Sequence, residues 1–117
     1  MYRIPADIDL SDIVGSEIQQ VCLGRYDVQF HFASGRTISV QGDVEVLEHD
    51  SVLASWNEND NWSSTGFQQL LNTTVKSYSV PNDRLLEINF DRNLILRLYD
   101  SSDQYESMQI YPGGTIV

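Results

Sequence analysis

The chain has few of the residues that stabilise or anchor proteins by special means. Its 117 residues include a single cysteine, Cys22, so no disulfide can form within the chain. No apolar run approaches the ~20 residues that a membrane-spanning helix requires, and the N-terminal residues lack the apolar segment of a signal peptide. We therefore expect a single domain over residues 1–117 that folds around its own core in the cytoplasm, without a membrane anchor.

Basic residues are also scarce. The chain has 7 lysine and arginine residues against 17 aspartate and glutamate residues, and a formal net charge of -10 at pH 7. The bases are scattered and form no stripe that would neutralise phosphates, so the sequence argues against a nucleic-acid partner. An acidic field attracts cationic partners instead. Because the hydrophobic content of 41% is that of a folded protein, we interpret the excess acid as surface charge and not as disorder.

Recognisable catalytic motifs are absent. The sequence contains no G-x-S-x-G elbow, no glycine-rich phosphate loop and no H-E-x-x-H helix. His49 stands between acids but lacks the spacing of known zinc sites, and Cys22 has no C-x-x-C partner. We therefore predict a protein that is not an enzyme and has no cofactor and no metal. A hydrolase with a carboxylate pair is an alternative that a perturbed carboxylate in a deep cleft would favour.

An internal duplication with a spacing of about 57 residues is the clearest architectural signal. The matching apolar positions are Val28 with Leu86, Phe30 with Ile88, Phe32 with Phe90, Ile38 with Leu96, and Val40 with Leu98. Gly15 and Gly35 correspond to Asn72 and Asn93, and these two residue types most readily adopt left-handed backbone. We predict two repeats, approximately residues 9–50 and 63–111, joined by residues 51–62.

Each repeat shows the alternation of strands that have one buried face. Apolar residues occupy every second position of 28–32 and of 94–98. Turn residues separate these runs, and each repeat begins with a short helical turn. The predicted fold class is all-β with one or two short helices, in the form of a pseudo-two-fold β-sandwich or partly open barrel of about eight strands.

The segment from Asp43 to Asp60 is the strongest candidate for function. It carries six carboxylates and Trp56, with Trp62 close behind, and it contains no lysine or arginine. An aromatic anchor ringed by charge is typical of a surface that docks a protein of opposite charge. A second acid cluster follows near the C-terminus. The predicted partner-binding residues are Asp43, Glu45, Glu48, Asp50, Trp56, Glu58, Asp60, Trp62, Asp100, Asp103 and Glu106.

Two other interpretations fit the same features. In the first, the acidic segment is a solvated face that keeps a small β protein soluble, and Trp56 and Trp62 point into the core. In the second, the protein is a small-molecule or metal-binding regulatory module. Its ligand would lie at a barrel mouth among Tyr26, His31, Tyr78 and Tyr99.

Three segments of the second half, FQQLLN at 67–72, LLEINF at 85–90 and YES at 105–107, carry a family resemblance. The pattern resembles that of small bacterial β proteins, some of which are similar to immunity proteins of toxin delivery systems, including contact-dependent growth inhibition. The resemblance implies a small cytosolic protein that binds a basic toxin domain, often a nuclease, at or beside its active site. We therefore expect an immunity or inhibitor protein that neutralises a cationic toxin domain through an acidic surface.

Overall fold

The computed structural model describes residues 3–60, 66–101, 108–112 and 115–116. Within these residues the chain forms ten strands and three 3-10 helices. The strands are β1 (Ile18–Leu23), β2 (Val28–Phe32), β3 (Thr37–Val40), β4 (Val44–Glu48), β5 (Ser51–Trp56), β6 (Val75–Asn82), β7 (Leu85–Phe90), β8 (Leu94–Tyr99), β9 (Met108–Tyr111) and β10 (Thr115–Ile116). The helices are η1 (Ser11–Ile13), η2 (Phe67–Leu70) and η3 (Asp91–Asn93). None of the helices in the described ranges has the length and apolar character needed to cross a membrane.

The strands form two antiparallel sheets of five strands each. The first sheet has the order β1-β2-β3-β9-β10, and the second has the order β5-β4-β8-β7-β6. The inner faces share one apolar core, in which the largest fully buried side chains are Trp56, Phe30 and Phe90. The alternation of β2 and β8 produces this burial, since every second residue of each strand faces the core. The predicted all-β fold with short helices is confirmed.

The two sheets repeat one arrangement of strands. β1-β2-β3 and β6-β7-β8 are antiparallel meanders, with Ile18 opposite Phe32 in one and Val75 opposite Phe90 in the other. β4 then pairs with β8, and β9 pairs with β3. Each half of the chain therefore supplies the closing strand of the other half's sheet, and this exchange ties the halves together around one core.

Left-handed backbone occurs at corresponding positions of the two halves. Gly15 and Asn72 have φ values of 83° and 66°, and each precedes the first strand of its meander. Gly35 and Asn93 have φ values of 98° and 59° and lie in the turns before β3 and β8. The conformation persists while the side chain changes, because glycine and asparagine are the residues that most easily adopt positive φ.

The crossover from the first sheet to the second passes through Gly42. A Cβ atom at this position would collide with the backbone oxygen of Tyr99. Glycine therefore lets the crossover run close beside β8, where the Tyr99 N–H donates to the Asp43 carbonyl oxygen at 3.0 Å. This contact fixes the start of β4 and with it the position of Asp43.

The segment 51–62, which is predicted to join the two repeats, begins with a strand. β5 occupies Ser51–Trp56 and pairs with β4 along its whole length, from Ser51 opposite Glu48 to Trp56 opposite Val44. Ala54 and Trp56 supply the buried face. A turn begins only at Asn57, whose Oδ1 accepts hydrogen bonds from the N–H groups of residues 59 and 60.

Candidate functional site

The turns of the sandwich gather at two ends. One end holds the β1–β2, β3–β4 and β6–β7 turns and the segment after β5. Trp56 Nε1, at the end of β5, donates to Gly24 O in the β1–β2 turn at 3.2 Å. Asp100 N–H, after β8, donates to Arg84 O in the β6–β7 turn at 2.8 Å. The β2–β3, β4–β5 and β7–β8 turns lie at the other end. The five residues of β4 separate the two ends by about 13 Å, because a strand rises about 3.3 Å per residue.

Four of the six carboxylates in the segment 43–60 lie at the first end. Asp43 directly precedes β4 and Glu45 lies within it, while Glu58 and Asp60 follow Trp56, the residue that pairs with Val44. Asp43, Glu58 and Asp60 are exposed, and Glu45 is half-buried. We call Asp43, Glu45, Glu58 and Asp60 the acidic end.

The guanidinium groups near the acidic end are engaged by the protein itself. Arg3 Nη1 lies 3.2 Å from Asp100 Oδ2, and Arg84 Nη1 donates to the Asp100 carbonyl oxygen at 3.4 Å. Arg25 lies over the ring of Tyr26, 5.1 Å from its centroid. Asp27 and Asp83, in the neighbouring turns, add further negative charge. Carboxylates therefore outnumber guanidinium groups at this end, and its electrostatic field is negative.

Glu45 is held in place by a row of side chains on the outer face of the second sheet. The Tyr99 hydroxyl donates to Glu45 Oε1 at 2.7 Å. Arg97 stands between Glu45 and Glu87 in the strand register, and its Nε donates to Glu87 Oε2 at 2.7 Å. This hydrogen bond raises the pKa of Arg97. The row fixes the Glu45 carboxylate at the edge of an open depression of about 320 Å³, which is lined by Asp43, Val44, Glu45, Ser55, Trp56, Asn57 and Tyr99.

The environment of Tyr99 raises the pKa of its hydroxyl group. Burial is the largest cause, and the hydrogen bond to Glu45 and the charge of that carboxylate add to it. Arg97 acts in the opposite direction but does not outweigh them. The neutral hydroxyl is therefore favoured, which suits its role as the donor that orients Glu45.

We expect Tyr99 to make the folded protein more sensitive to alkali. Its pKa in the folded state lies above the unfolded value of about 10, so its contribution to stability is complete below about pH 10 and is lost as pH rises through the folded pKa. Tyr99→Phe removes this dependence. Urea unfolding from about pH 9.5 to 11.5 should show a steeper fall in the free energy of unfolding for the wild type than for Tyr99→Phe. Parallel pH profiles would contradict the raised pKa.

Trp56 is a core residue and does not belong to the contact surface. Its side chain is 1% exposed, and its indole N–H donates to Gly24 O across the two sheets. The prediction that Trp56 anchors a partner is therefore wrong, and the interpretation that it points into the core is correct. The alternation of β5, which places Trp56 on the same side as buried Ala54, is the sequence signal that indicates this burial.

Asp100 is also unavailable to a partner, although it lies at the same end of the sandwich as the acidic end. Its side chain is fully buried against Arg3, so its charge is neutralised inside the protein. The assignment of Asp100 to the contact surface is therefore wrong. Trp62, Asp103 and Glu106, the other predicted contact residues of these clusters, lie outside the described residues.

Glu48 and Asp50 lie at the opposite end from the rest of the predicted surface. Glu48 ends β4, and Asp50 is in the turn that leads into β5. Both are exposed. They are close to Asp43 in sequence, but β4 carries the chain from one end of the sandwich to the other. A single contact surface made of all the predicted acids is therefore wrong, and the acidic end is the part that the fold brings together.

The residues predicted for a ligand at a barrel mouth are dispersed. Tyr26 is exposed in the β1–β2 turn, and His31 lies on the outer face of the first sheet, where Nδ1 contacts Thr37 Oγ1 at 3.0 Å. The Tyr78 hydroxyl accepts from the Leu10 N–H and donates to Ile8 O, so it fastens the N-terminal segment to β6. Tyr99 lies on the outer face of the second sheet. Two separate sheets form no barrel mouth that would join these residues.

Metal and acid–base chemistry gain no support from the described residues. No group of three or more histidine, cysteine, aspartate or glutamate side chains there is placed to hold a metal ion. His49 lies in the β4–β5 turn, and Cys22 is half-buried on β1. Asp43 and Glu45 line one depression, which is open to solvent.

Sequence reasoning missed Arg97 and the part that Tyr99 has in the site. Both lie on the solvent side of β8, two residues apart, and the alternation of that strand indicates their orientation. Glu45, which accepts the hydrogen bond from Tyr99 and lies opposite Arg97 in the register, comes from a strand of the other repeat, so sequence alone does not show the contact. Comparison with known proteins adds no further assignment, because no protein-family model, no curated protein and no solved structure matches the chain.

Proposed function

We propose that this protein is an immunity or inhibitor protein whose acidic end docks a basic toxin domain. The observation that carries the proposal is the gathering of Asp43, Glu45, Glu58 and Asp60 at one end of the sandwich, where carboxylates outnumber guanidinium groups. Exposed carboxylates steer a cationic partner and pair with its lysine and arginine side chains. For a nuclease, these carboxylates would take the place of substrate phosphates and block the active site.

The geometry of Glu45 fits such a role. A carboxylate that is already oriented by Tyr99 and the neighbouring Arg97–Glu87 pair loses little side-chain freedom when it binds a guanidinium group. Asp43, Glu58 and Asp60 supply more exposed charge around it. This division gives one fixed contact for specificity and several exposed charges for fast association.

The resemblance of residues 67–72, 85–90 and 105–107 to immunity proteins supports the choice of a toxin domain as partner. A protein of this kind acts in the cytoplasm by occupying the toxin and has no catalytic activity of its own. The expected partner is the variable C-terminal domain of a large secreted protein encoded directly upstream of this chain. Co-purification of the two proteins would identify the partner.

Charge reversal at the acidic end is expected to slow association with that basic domain. We expect Asp43→Lys/Glu58→Lys to reduce the association rate constant by about tenfold at low ionic strength, because long-range attraction depends on these exposed charges. Stopped-flow or surface-based kinetics at about 50 mM salt measures this change. An unchanged rate constant would rule out the acidic end as the docking surface.

The matched control reverses two exposed carboxylates at the other end of the sandwich, in Glu17→Lys/Glu48→Lys. Both double variants change the net charge by the same amount, and Glu17 and Glu48 are exposed. Only the position of the charge differs. A lower association rate constant in the first variant alone would locate the partner at the acidic end.

A further inference from the structure

Lys76 is an exception among the basic residues of the chain. The six arginines each have a partner within the protein: Arg3 with Asp100, Arg25 with Tyr26, Arg36 with Asp12, Arg84 with Asp100, Arg92 with Gln69, and Arg97 with Glu87. Lys76, the single lysine, is exposed and forms no hydrogen bond or ion pair with the residues that the structure describes. In a chain with a net charge of -10, its ammonium group is therefore a positive charge that is not paired with any described carboxylate.

A β-bulge presents Lys76 on the outer face of the second sheet. Val75 and Ser77 pair with Phe90 and Asn89, which are adjacent, so Lys76 is the extra residue on its strand. Bulges of this kind redirect a side chain and are frequent beside binding sites. The bulge leaves Lys76 next to Asn89, whose Nδ2 donates to Ser77 Oγ at 3.2 Å. The oxygen of this amide therefore faces away from that bond and is available as an acceptor.

Lys76 and Asn89 line a cavity of about 350 Å³ that is open to solvent, between the β4–β5 and β7–β8 turns. The β4–β5 turn contributes His49 and Asp50, and the β7–β8 turn contributes Asn93; all three have positive φ. Ile95 supplies the apolar side chain of the cavity, while the side chains of Phe90 and Leu94, which also border it, are buried in the core. A cation, a carboxylate and amide groups thus surround an apolar surface in a space suited to a small ligand.

We propose that this cavity binds an amino-acid-sized zwitterion with an apolar side chain. Lys76 would pair with the ligand carboxylate and Asp50 with its ammonium group, while Asn89 and Asn93 hydrogen-bond the polar atoms and the side chain packs against Ile95. The opposite charges of Lys76 and Asp50 favour a zwitterion over a simple anion or cation. The site lies at the other end of the sandwich from the acidic end and is independent of the function proposed for that end.

Calorimetric titration of the full-length chain tests the ligand class. L-Leucine, L-isoleucine, L-methionine and L-phenylalanine serve as zwitterions, N-acetyl-L-leucine lacks the ammonium group, and L-leucinamide lacks the carboxylate. We expect at least one zwitterion to bind, and each blocked leucine to bind about tenfold or more weakly than L-leucine. Absence of binding by all four zwitterions at about 10 mM, or equal binding of L-leucine and both blocked forms, would overturn the proposal.

Two variants test which side chain pairs with each charged group of the ligand. Lys76→Met should weaken L-leucine about tenfold and leave L-leucinamide unaffected, whereas Asp50→Asn should weaken L-leucine and leave N-acetyl-L-leucine unaffected. Asparagine suits position 50 because it tolerates the positive φ found there. Glu48→Gln, an exposed neighbour that does not line the cavity, is the control. Equal loss in Glu48→Gln, or no loss in the first two variants, would contradict the assignment.

Discussion

Trp56→Ala is expected to destabilise the protein by about 3–5 kcal/mol, the usual cost of removing a large buried aromatic side chain. Trp56 is one of the largest side chains in the core, and it joins the sheets twice, through apolar packing and through the hydrogen bond from its indole to Gly24 O. Trp56→Phe keeps most of the packing and loses the hydrogen bond, so it should lower the free energy of unfolding by only about 1 kcal/mol. Chemical denaturation of the wild type and both variants gives these differences.

Val52→Ala is the control on the same strand. Val52 is 54% exposed, so its truncation should change the free energy of unfolding by less than about 0.5 kcal/mol. If Trp56→Ala were as mild as Val52→Ala, Trp56 would lie on the surface and the assignment of this residue to the core would fail.

Asp100→Ala is expected to cost about 2 kcal/mol, because it removes a fully buried carboxylate that accepts a hydrogen bond from the partly exposed Arg3. Arg3 comes from the N-terminal segment, and Ile4 N–H donates to Asp83 O beside the same turn. The loss should therefore loosen this segment against the second sheet. Urea unfolding measures the cost, and a cycle with Arg3→Ala should show a coupling energy above about 1 kcal/mol.

Asp83→Ala provides the comparison for a carboxylate at the same end. Asp83 is exposed, and its carbonyl oxygen accepts the Ile4 hydrogen bond whatever the side chain is. We expect a change within about 0.5 kcal/mol. Equal effects of the Asp83 and Asp100 substitutions, or additive effects of Arg3→Ala and Asp100→Ala, would show that the pair does not stabilise the fold.

Local patterns predicted much of the fold, because they act over a few residues. The alternation in β2 and β8 fixes which side chains are buried, and the pairs of glycine and asparagine mark the left-handed turns. The exchange of β4 and β9 between the sheets was not predictable in this way. Both strands are short and apolar on one face, and only contacts with distant strands determine which sheet each one joins.

The candidate site was predicted only in part, for a reason that lies in strand geometry. Asp43 and Asp50 are seven positions apart in sequence, yet β4 places them at opposite ends of the sandwich. The neighbours of a residue on β4 therefore come from other strands, as the hydrogen bond from Tyr99 of β8 to Glu45 of β4 shows. Lys76 stands out in the sequence as the single lysine of a chain in which every other base is arginine.

The proposed docking of a basic toxin domain at the acidic end is tested most directly by the ratio of two association rate constants. The first belongs to Asp43→Lys/Glu58→Lys and the second to Glu17→Lys/Glu48→Lys, both measured with the basic toxin domain proposed as the partner. We predict that the first rate constant is about tenfold lower than the second at about 50 mM salt, and that the two converge at about 500 mM salt. Equal rate constants at low salt would show that only net charge matters and would contradict a docking surface at the acidic end.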